Sequence, residues 1–306
     1  MNNFIKVLRD IEKGKMPLVK DWDLQDVIDL NMFVYKLNHG YMFDIQSPKS
    51  FTEKIQWYKF FYQRDKADFA QVTDKVLFKN FIQQRLGDGY VIPMYGAWDN
   101  VSDLETEWNR VDSLIPETVV LKANLQSDGR NIKIVRNKSK TDFKTIEQEL
   151  EGWLEPKSTL MNSCDWRFYD SKPMILAEEY MANFENQLYD YKFFCFGGNP
   201  FCIYVAQDHF GKDGSHISFY DLNWTKLQVQ YGKHVVGDAP KPKHFDHMVE
   251  IAKVLSKDYP FMRVDFFDTD DKLFVAEMTF NPGGGMTPYN PESFNLQMGE
   301  LFKLPL

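Results

Sequence analysis

Met262-Arg263-Val264-Asp265-Phe266-Phe267 and Phe274-Val275-Ala276-Glu277-Met278-Thr279 are the two runs that decide the fold, with Asp268-Thr269-Asp270-Asp271 as an acidic turn between them. Side chains alternate faces along a strand. Val264, Phe266, Phe274, Ala276 and Met278 are therefore expected on one apolar face. Arg263, Asp265, Glu277 and Thr279 take the opposite parity. If the connecting loop has an odd number of residues, those four lie on the same side of one hairpin. Two carboxylates so placed suit one or two magnesium ions, and an arginine beside them suits a phosphate oxygen. A solvated polar face on an ordinary hairpin is the plainer reading. Gly283-Gly284-Gly285 just beyond suits either a close ligand approach or a simple turn.

Working outward, strand patterns fill the chain after Pro116. Thr118 to Lys122 is a β-branched run, and Asn131 to Val135 alternates; the loop between them, Asn124 to Arg130, contains a glycine and is placed to cover a ligand. Pro173 to Ala177 is a buried-type strand ending in Glu178-Glu179-Tyr180. Tyr189 to Phe196 and Phe201 to Ala206 are joined by a Gly197-Gly198-Asn199-Pro200 turn. Helical periodicity marks Thr141 to Leu154 and His244 to Tyr259. The first 70 residues read as helical: Ser50-Phe51-Thr52-Glu53 has capping-box spacing, and Ile55, Tyr58 and Phe61 follow at helical intervals. Another helix is expected from about Thr73 to Arg85, ended by Gly87-Asp88-Gly89. The class is α+β with antiparallel hairpins rather than a regularly alternating parallel sheet.

Composition narrows the function classes. The 306 residues are about two domains' worth, and 43% of them are hydrophobic and 16% aromatic, so general disorder is excluded. The net charge of −8 lacks the global attraction expected of a nucleic-acid binder. No apolar run approaches the roughly 20 residues of a spanning helix, and Met1 to Lys15 has no signal-peptide core. Cys164, Cys195 and Cys202 form no zinc or disulfide pattern, so a reducing cytoplasm is expected, with at most peripheral membrane association.

Two lysines stand where phosphates could be held. Lys75 is expected to open a helix, and Lys122 ends a strand beside the Asn124 to Arg130 loop. A strand-end lysine next to backbone amides suits a phosphate, while a surface lysine is the ordinary reading of each. The order along the chain gives them a context: Asp74-Lys75, Val120-Leu121-Lys122, Ala177-Glu178-Glu179-Tyr180, Arg263-Val264-Asp265, then Glu277-Met278-Thr279-Phe280-Asn281-Pro282-Gly283. Together with Ser47 to Trp57, Ile92-Pro93, Gly96-Ala97-Trp98, Asp190 to Phe196 and Phe219 to Trp224, this series resembles the TupA-like group of ATP-grasp proteins, linked to teichuronopeptide and other bacterial surface-polysaccharide pathways.

That resemblance implies an ATP-grasp fold, in which two α+β subdomains with antiparallel sheets clasp ATP, here behind a helical region. The corresponding boundaries are 1–70, 71–178 and 179–306. It implies ATP and Mg2+, with Lys75, Lys122, Ser127 and Gly129 at the phosphates. Glu178 would accept from the adenine amino group, with Glu179, Tyr180 and Met181 along the ring edge and Asp190 at the ribose. Lys192 would point into the site as a catalytic residue, Arg263 would steady the transferred phosphoryl group, and Asp265 and Glu277, with Thr279 as a weaker ligand, would hold magnesium. Asp128, where the family tends to have small residues, is expected to point outward or pair with Arg130. The implied activity is carboxylate–amine ligation on a small-molecule, lipid-linked or nucleotide-linked glycan substrate. Two alternatives stand beside it: a nucleotide-sugar glycosyltransferase using Asp268-Thr269-Asp270, and a nucleotide-binding protein without catalysis.

Overall fold

The computed structural model describes residues 24–64, 66, 68–125, 131–155, 171–181, 189–207, 216–269 and 271–305. Four helices come first: α1 (Leu24–His39), α2 (Phe51–Trp57), α3 (Asp68–Thr73) and α4 (Leu77–Leu86). The capping box at the head of α2 forms: the Ser50 hydroxyl accepts from Glu53 N, and the Glu53 carboxylate accepts from Ser50 N. The helix then widens into a π-helical stretch over Tyr58–Gln63. The helix expected from Thr73 is corrected. Thr73 ends α3, and Asp74 Oδ1 accepts from Val76 N and Leu77 N at 2.8 and 3.2 Å. That local turn competes with continuous helix, so Lys75 sits in the break rather than at a helix start.

The first sheet contains β1 (Met94–Trp98), β2 (Val119–Ala123), β3 (Ile132–Val135) and β4 (Ile175–Glu179), in the antiparallel order β1-β4-β2-β3. Its apolar side is covered by α5 (Val101–Asn109) and α6 (Lys144–Leu154), which bury Leu104, Trp108, Leu150 and Trp153 with Leu121 and Ile175. Strand β1 escapes pattern reading because it is short and half-buried throughout. Its Gly96 is needed, since a Cβ there would lie 2.5 Å from the Trp98 ring.

The second sheet is built on β5 (Asp190–Phe196), β6 (Asn199–Gln207) and β7 (His216–Tyr220), with the short strands β8 (Lys226–Leu227), β9 (Gln230–Tyr231) and β10 (Val235–Val236) following. After helix α7 (Phe245–Ser256) come β11 (Phe261–Asp268) and β12 (Leu273–Thr279), then β13 (Tyr289–Asn290) and helix α8 (Glu292–Leu301). The order is β10-β7-β6-β5-β11-β12, with β8 on β7, and β9 pairs with β13. One face packs against α7 through Met248, Ile251, Ala252 and Leu255, and Phe51, Ile55, Tyr58, Phe69, Phe78 and Ile82 belong to the same core. Helices on both sides of residue 70 thus share the core of the second sheet. Among the described residues, no helix is long and apolar enough to cross a membrane.

The hairpin read first is β11–β12, and its register pairs Asp265 with Glu277 and Arg263 with Thr279. Its apolar face differs from the expected one. A bulge between Asp265 and Phe266 puts Phe266 opposite Val275, not opposite Ala276. Because one extra residue reverses the parity of everything beyond it, Val275 rather than Phe274 or Ala276 extends the Val264–Met278 face.

Candidate active site between two sheets

On the first sheet, Lys122 and Glu178 lie diagonally across the β2–β4 ladder, whose register pairs Val120 with Glu178 and Lys122 with Leu176. Equal parity puts both side chains on one face. Glu178 Oε2 is 2.6 Å from Lys122 Nζ, and Glu178 Oε1 is 2.5 Å from Nζ of Lys79, which reaches in from α4. Lys79 also donates to Ile92 O at 2.6 Å. Burial alone would raise the Glu178 pKa, but Lys122 and Lys79 outweigh it and push the group down to about 2. Lys75 joins this group electrostatically. Burial lowers its pKa, Glu277 opposes that, Lys122 lowers it further, and Glu178 and Asp74 oppose.

On the second sheet the cations are held differently. Asp265, 1% exposed, accepts from Arg263 Nε and Nη2, both at 2.7 Å, and from Lys192 Nζ at 2.6 Å. The strands explain the set: β5 and β11 pair Lys192 with Asp265, and Asp190 lies two residues back on the same face, where Lys192 also donates to it. Arg263 Nη2 reaches Thr279 Oγ1 at 3.2 Å and lies 3.8 Å from Glu277 Oε2. Burial would lower the Lys192 pKa, but Asp190 and Asp265 raise it above the usual value. Arg263 is likewise held above its usual value, Asp265 outweighing burial. Both side chains are therefore fixed positive charges, suited to stabilising anions and unsuited to taking protons. Just beyond α4, Tyr90 O accepts from Val275 N of β12 at 2.7 Å, which ties the segment carrying Lys79 to the hairpin of the second sheet.

Comparison with known proteins follows the same residues. A family model described as TupA-like ATPgrasp matches residues 53–303. The chain belongs to the TupA-like ATP-grasp family. Solved structures similar to it include the D-alanine–D-alanine ligase of Bacillus anthracis complexed with ATP, at 15% identity and a TM-score of 0.39, covering 69% of this chain and 54% of that one. The D-alanine–D-alanine ligase of Helicobacter pylori matches at 13% identity and 0.42, covering 76% and 62%. The biotin carboxylase domain of the Hydrogenobacter thermophilus 2-oxoglutarate carboxylase, in complex with ADP, its magnesium salt and bicarbonate, matches at 13% and 0.44, covering 95% and 60%. The chain thus spans between about half and two thirds of each of these proteins. No curated protein matches its sequence.

In this TupA-like chain, Lys75, Lys122, Glu178, Asp190, Lys192, Arg263, Asp265, Glu277 and Thr279 all fall in the two clusters above. Each Glu178 carboxylate oxygen meets one lysine, so the group serves as their counter-ion, and an oxygen with two lone pairs has room for a further donor. Glu179 is exposed, and its N–H donates to Pro93 O at 2.9 Å; Tyr180 and Met181 follow it, half-buried. Ser127 and Gly129, with Asp128 and Arg130, lie outside the described residues.

Lys79 is the site residue that sequence reading missed, because its partner Glu178 lies 99 positions further along the chain. The donor set of Asp265, Glu277 and Thr279 consists of hard oxygens, the type magnesium takes. Glu277, with its side chain 40% exposed, is the accessible member, whereas both Asp265 oxygens are engaged by Arg263 and Lys192. Among the described residues, no group of three or more His, Cys, Asp and Glu side chains is placed to hold a metal ion. Of the Asp268-Thr269-Asp270 pattern, Asp270 lies outside the described residues. Asp268 is turned to the head of α7, accepting from His244 N at 3.1 Å and lying 2.5 Å from His244 Nδ1. An anionic residue at a helix N-terminus is a structural role.

Proposed function

We propose that the chain is an ATP-dependent carboxylate–amine ligase acting through an acyl phosphate. Its proposed acceptor is a uronic-acid or amino-acid carboxylate on a bacterial surface-glycan precursor. What supports the reading is a pair of buried cation clusters, Lys79 and Lys122 on Glu178 of the first sheet and Arg263 and Lys192 on Asp265 of the second. A cleft with cations on both walls suits a triphosphate lying between them. Lys75 and Lys122 hold phosphate oxygens from one wall. Arg263 and Lys192, both permanently charged, face the group being transferred and stabilise the charge that spreads over its oxygens.

The substrate carboxylate attacks the γ-phosphorus, the bond to the β-bridging oxygen breaks, and ADP leaves. The amine then attacks the acyl carbon, inorganic phosphate departs, and the amine's proton passes to solvent or to a base. Magnesium, held by Glu277 and Asp265, would neutralise phosphate charge. Holding both reactants in line supplies much of the acceleration. Incubation with MgATP, glucuronate or glutamate derivatives and a panel of amines tests this. ADP and phosphate should form in equal amounts, only when carboxylate and amine are both present, with an amide detectable by mass. Transfer of sugar from a UDP-sugar with no ATP consumption would replace the reading with the transferase.

A further inference from the structure

We propose that Lys79 is a positioning residue that holds Glu178 so that Lys122 keeps charge and N–H donors for an anionic ligand. The role rests on the cleft binding a nucleotide triphosphate. Two lysines share one carboxylate, but they are not equivalent. Lys79 is tied from inside at two points, Glu178 Oε1 at 2.5 Å and Ile92 O at 2.6 Å, with its side chain 10% exposed. Lys122 meets the other Glu178 oxygen at 2.6 Å, with its side chain 16% exposed. An ammonium has three donors, and the carboxylate engages one of those on Lys122.

The charges show why the second lysine matters. Lys79 and Lys122 against Glu178 leave +1 among the contacting groups. Without the Lys79 charge that balance drops to 0, and the whole carboxylate bears on Lys122, pinning it away from a phosphate. Removing the Glu178 charge as well returns the balance to +1 and frees Lys122. Lys75, Asp74 and Glu277 are the same in every case. A lysine that touched phosphate itself could not be replaced in this way, because its contact would stay lost whatever happened to Glu178.

The test is MgATP affinity, by isothermal titration calorimetry on the full chain, for the parent, Lys79→Met, Lys79→Met with Glu178→Gln, and Lys122→Met. Thermal unfolding shows that each is folded. Lys79→Met should weaken binding at least tenfold, and the double variant should return to within threefold of the parent. Should Lys79→Met fail to fold, Lys79→Gln keeps hydrogen-bond donors while removing the charge, and the same loss and the same recovery are expected from it. A double variant no tighter than the single one would overturn the positioning role, as would unchanged affinity in a folded single variant. Loss of binding in Lys122→Met with none in Lys79→Met would overturn the role of Lys79 while leaving the nucleotide reading in place. A parent that binds no MgATP would remove both.

Discussion

The two walls of the cleft both gather cations around a buried carboxylate, yet their balance differs. On the second sheet, Arg263 and Lys192 meet Asp265 and Asp190, two positive charges against two negative. On the first, Lys79 and Lys122 share Glu178, two against one. Burying unpaired charge is costly, so the excess on the first wall calls for an anion that arrives later. The matched wall can hold its geometry in the ligand-free protein.

Breaking the matched wall should cost the most stability. Asp265→Asn leaves Arg263 and Lys192 buried with one carboxylate fewer, and removing one partner of such a cluster costs about 3–5 kcal/mol. Urea unfolding checks this. A loss equal to that of Glu178→Gln would erase the distinction between the walls.

The unmatched wall should show itself in acid. The folded pKa of Glu178, about 2, lies below its ordinary value of 4.5, so its contribution is complete above pH 4.5 and is lost as pH falls through about 2. The upper bound is about 3 kcal/mol, from 1.36 kcal/mol per pKa unit. Unfolding free energy of the parent should therefore fall over that window more steeply than that of Glu178→Gln. Parallel profiles would show that the lysines do not hold this carboxylate ionised.

How much of this was readable beforehand follows from the range of each interaction. Strand parity was enough to put Arg263, Asp265, Glu277 and Thr279 on one face, because hairpin partners are close in sequence. The bulge at Ala276 was not legible, since nothing in Val275-Ala276-Glu277 distinguishes a bulged residue from a paired one. Glu178 was found, but not its lysine partners. Its counter-ion Lys79 lies on a helix 99 positions earlier, and no local pattern reports such a contact. The hold on the glycine turn was equally hidden. Lys59, 0% exposed, donates to Gly284 O at 2.9 Å, and Gln56 Nε2 reaches Gly284 O and Gly285 O, each at 3.1 Å, across more than 220 residues. Gly283, Gly284 and Gly285 all take positive φ there, which glycine adopts without strain.

The smallest effect is expected away from both walls. Asp268→Asn loses a charged partner for His244 and the head of α7, worth about 1 kcal/mol for a helix N-terminus. Thermal unfolding should register it while MgATP affinity stays within twofold. A tenfold loss of nucleotide affinity would return the acidic turn to the site and revive its sugar-nucleotide reading.

The most direct measurement is calorimetric titration of the parent chain and of Lys122→Met with ATP, with and without magnesium, and with UDP-glucuronate. The parent should bind ATP saturably and more tightly with magnesium. The variant should lose at least tenfold, about 1.4 kcal/mol, and UDP-glucuronate should not compete with ATP for the triphosphate cleft. Binding of UDP-glucuronate with none of ATP, or MgATP affinity unchanged by Lys122→Met, would contradict a nucleotide cleft between the two walls.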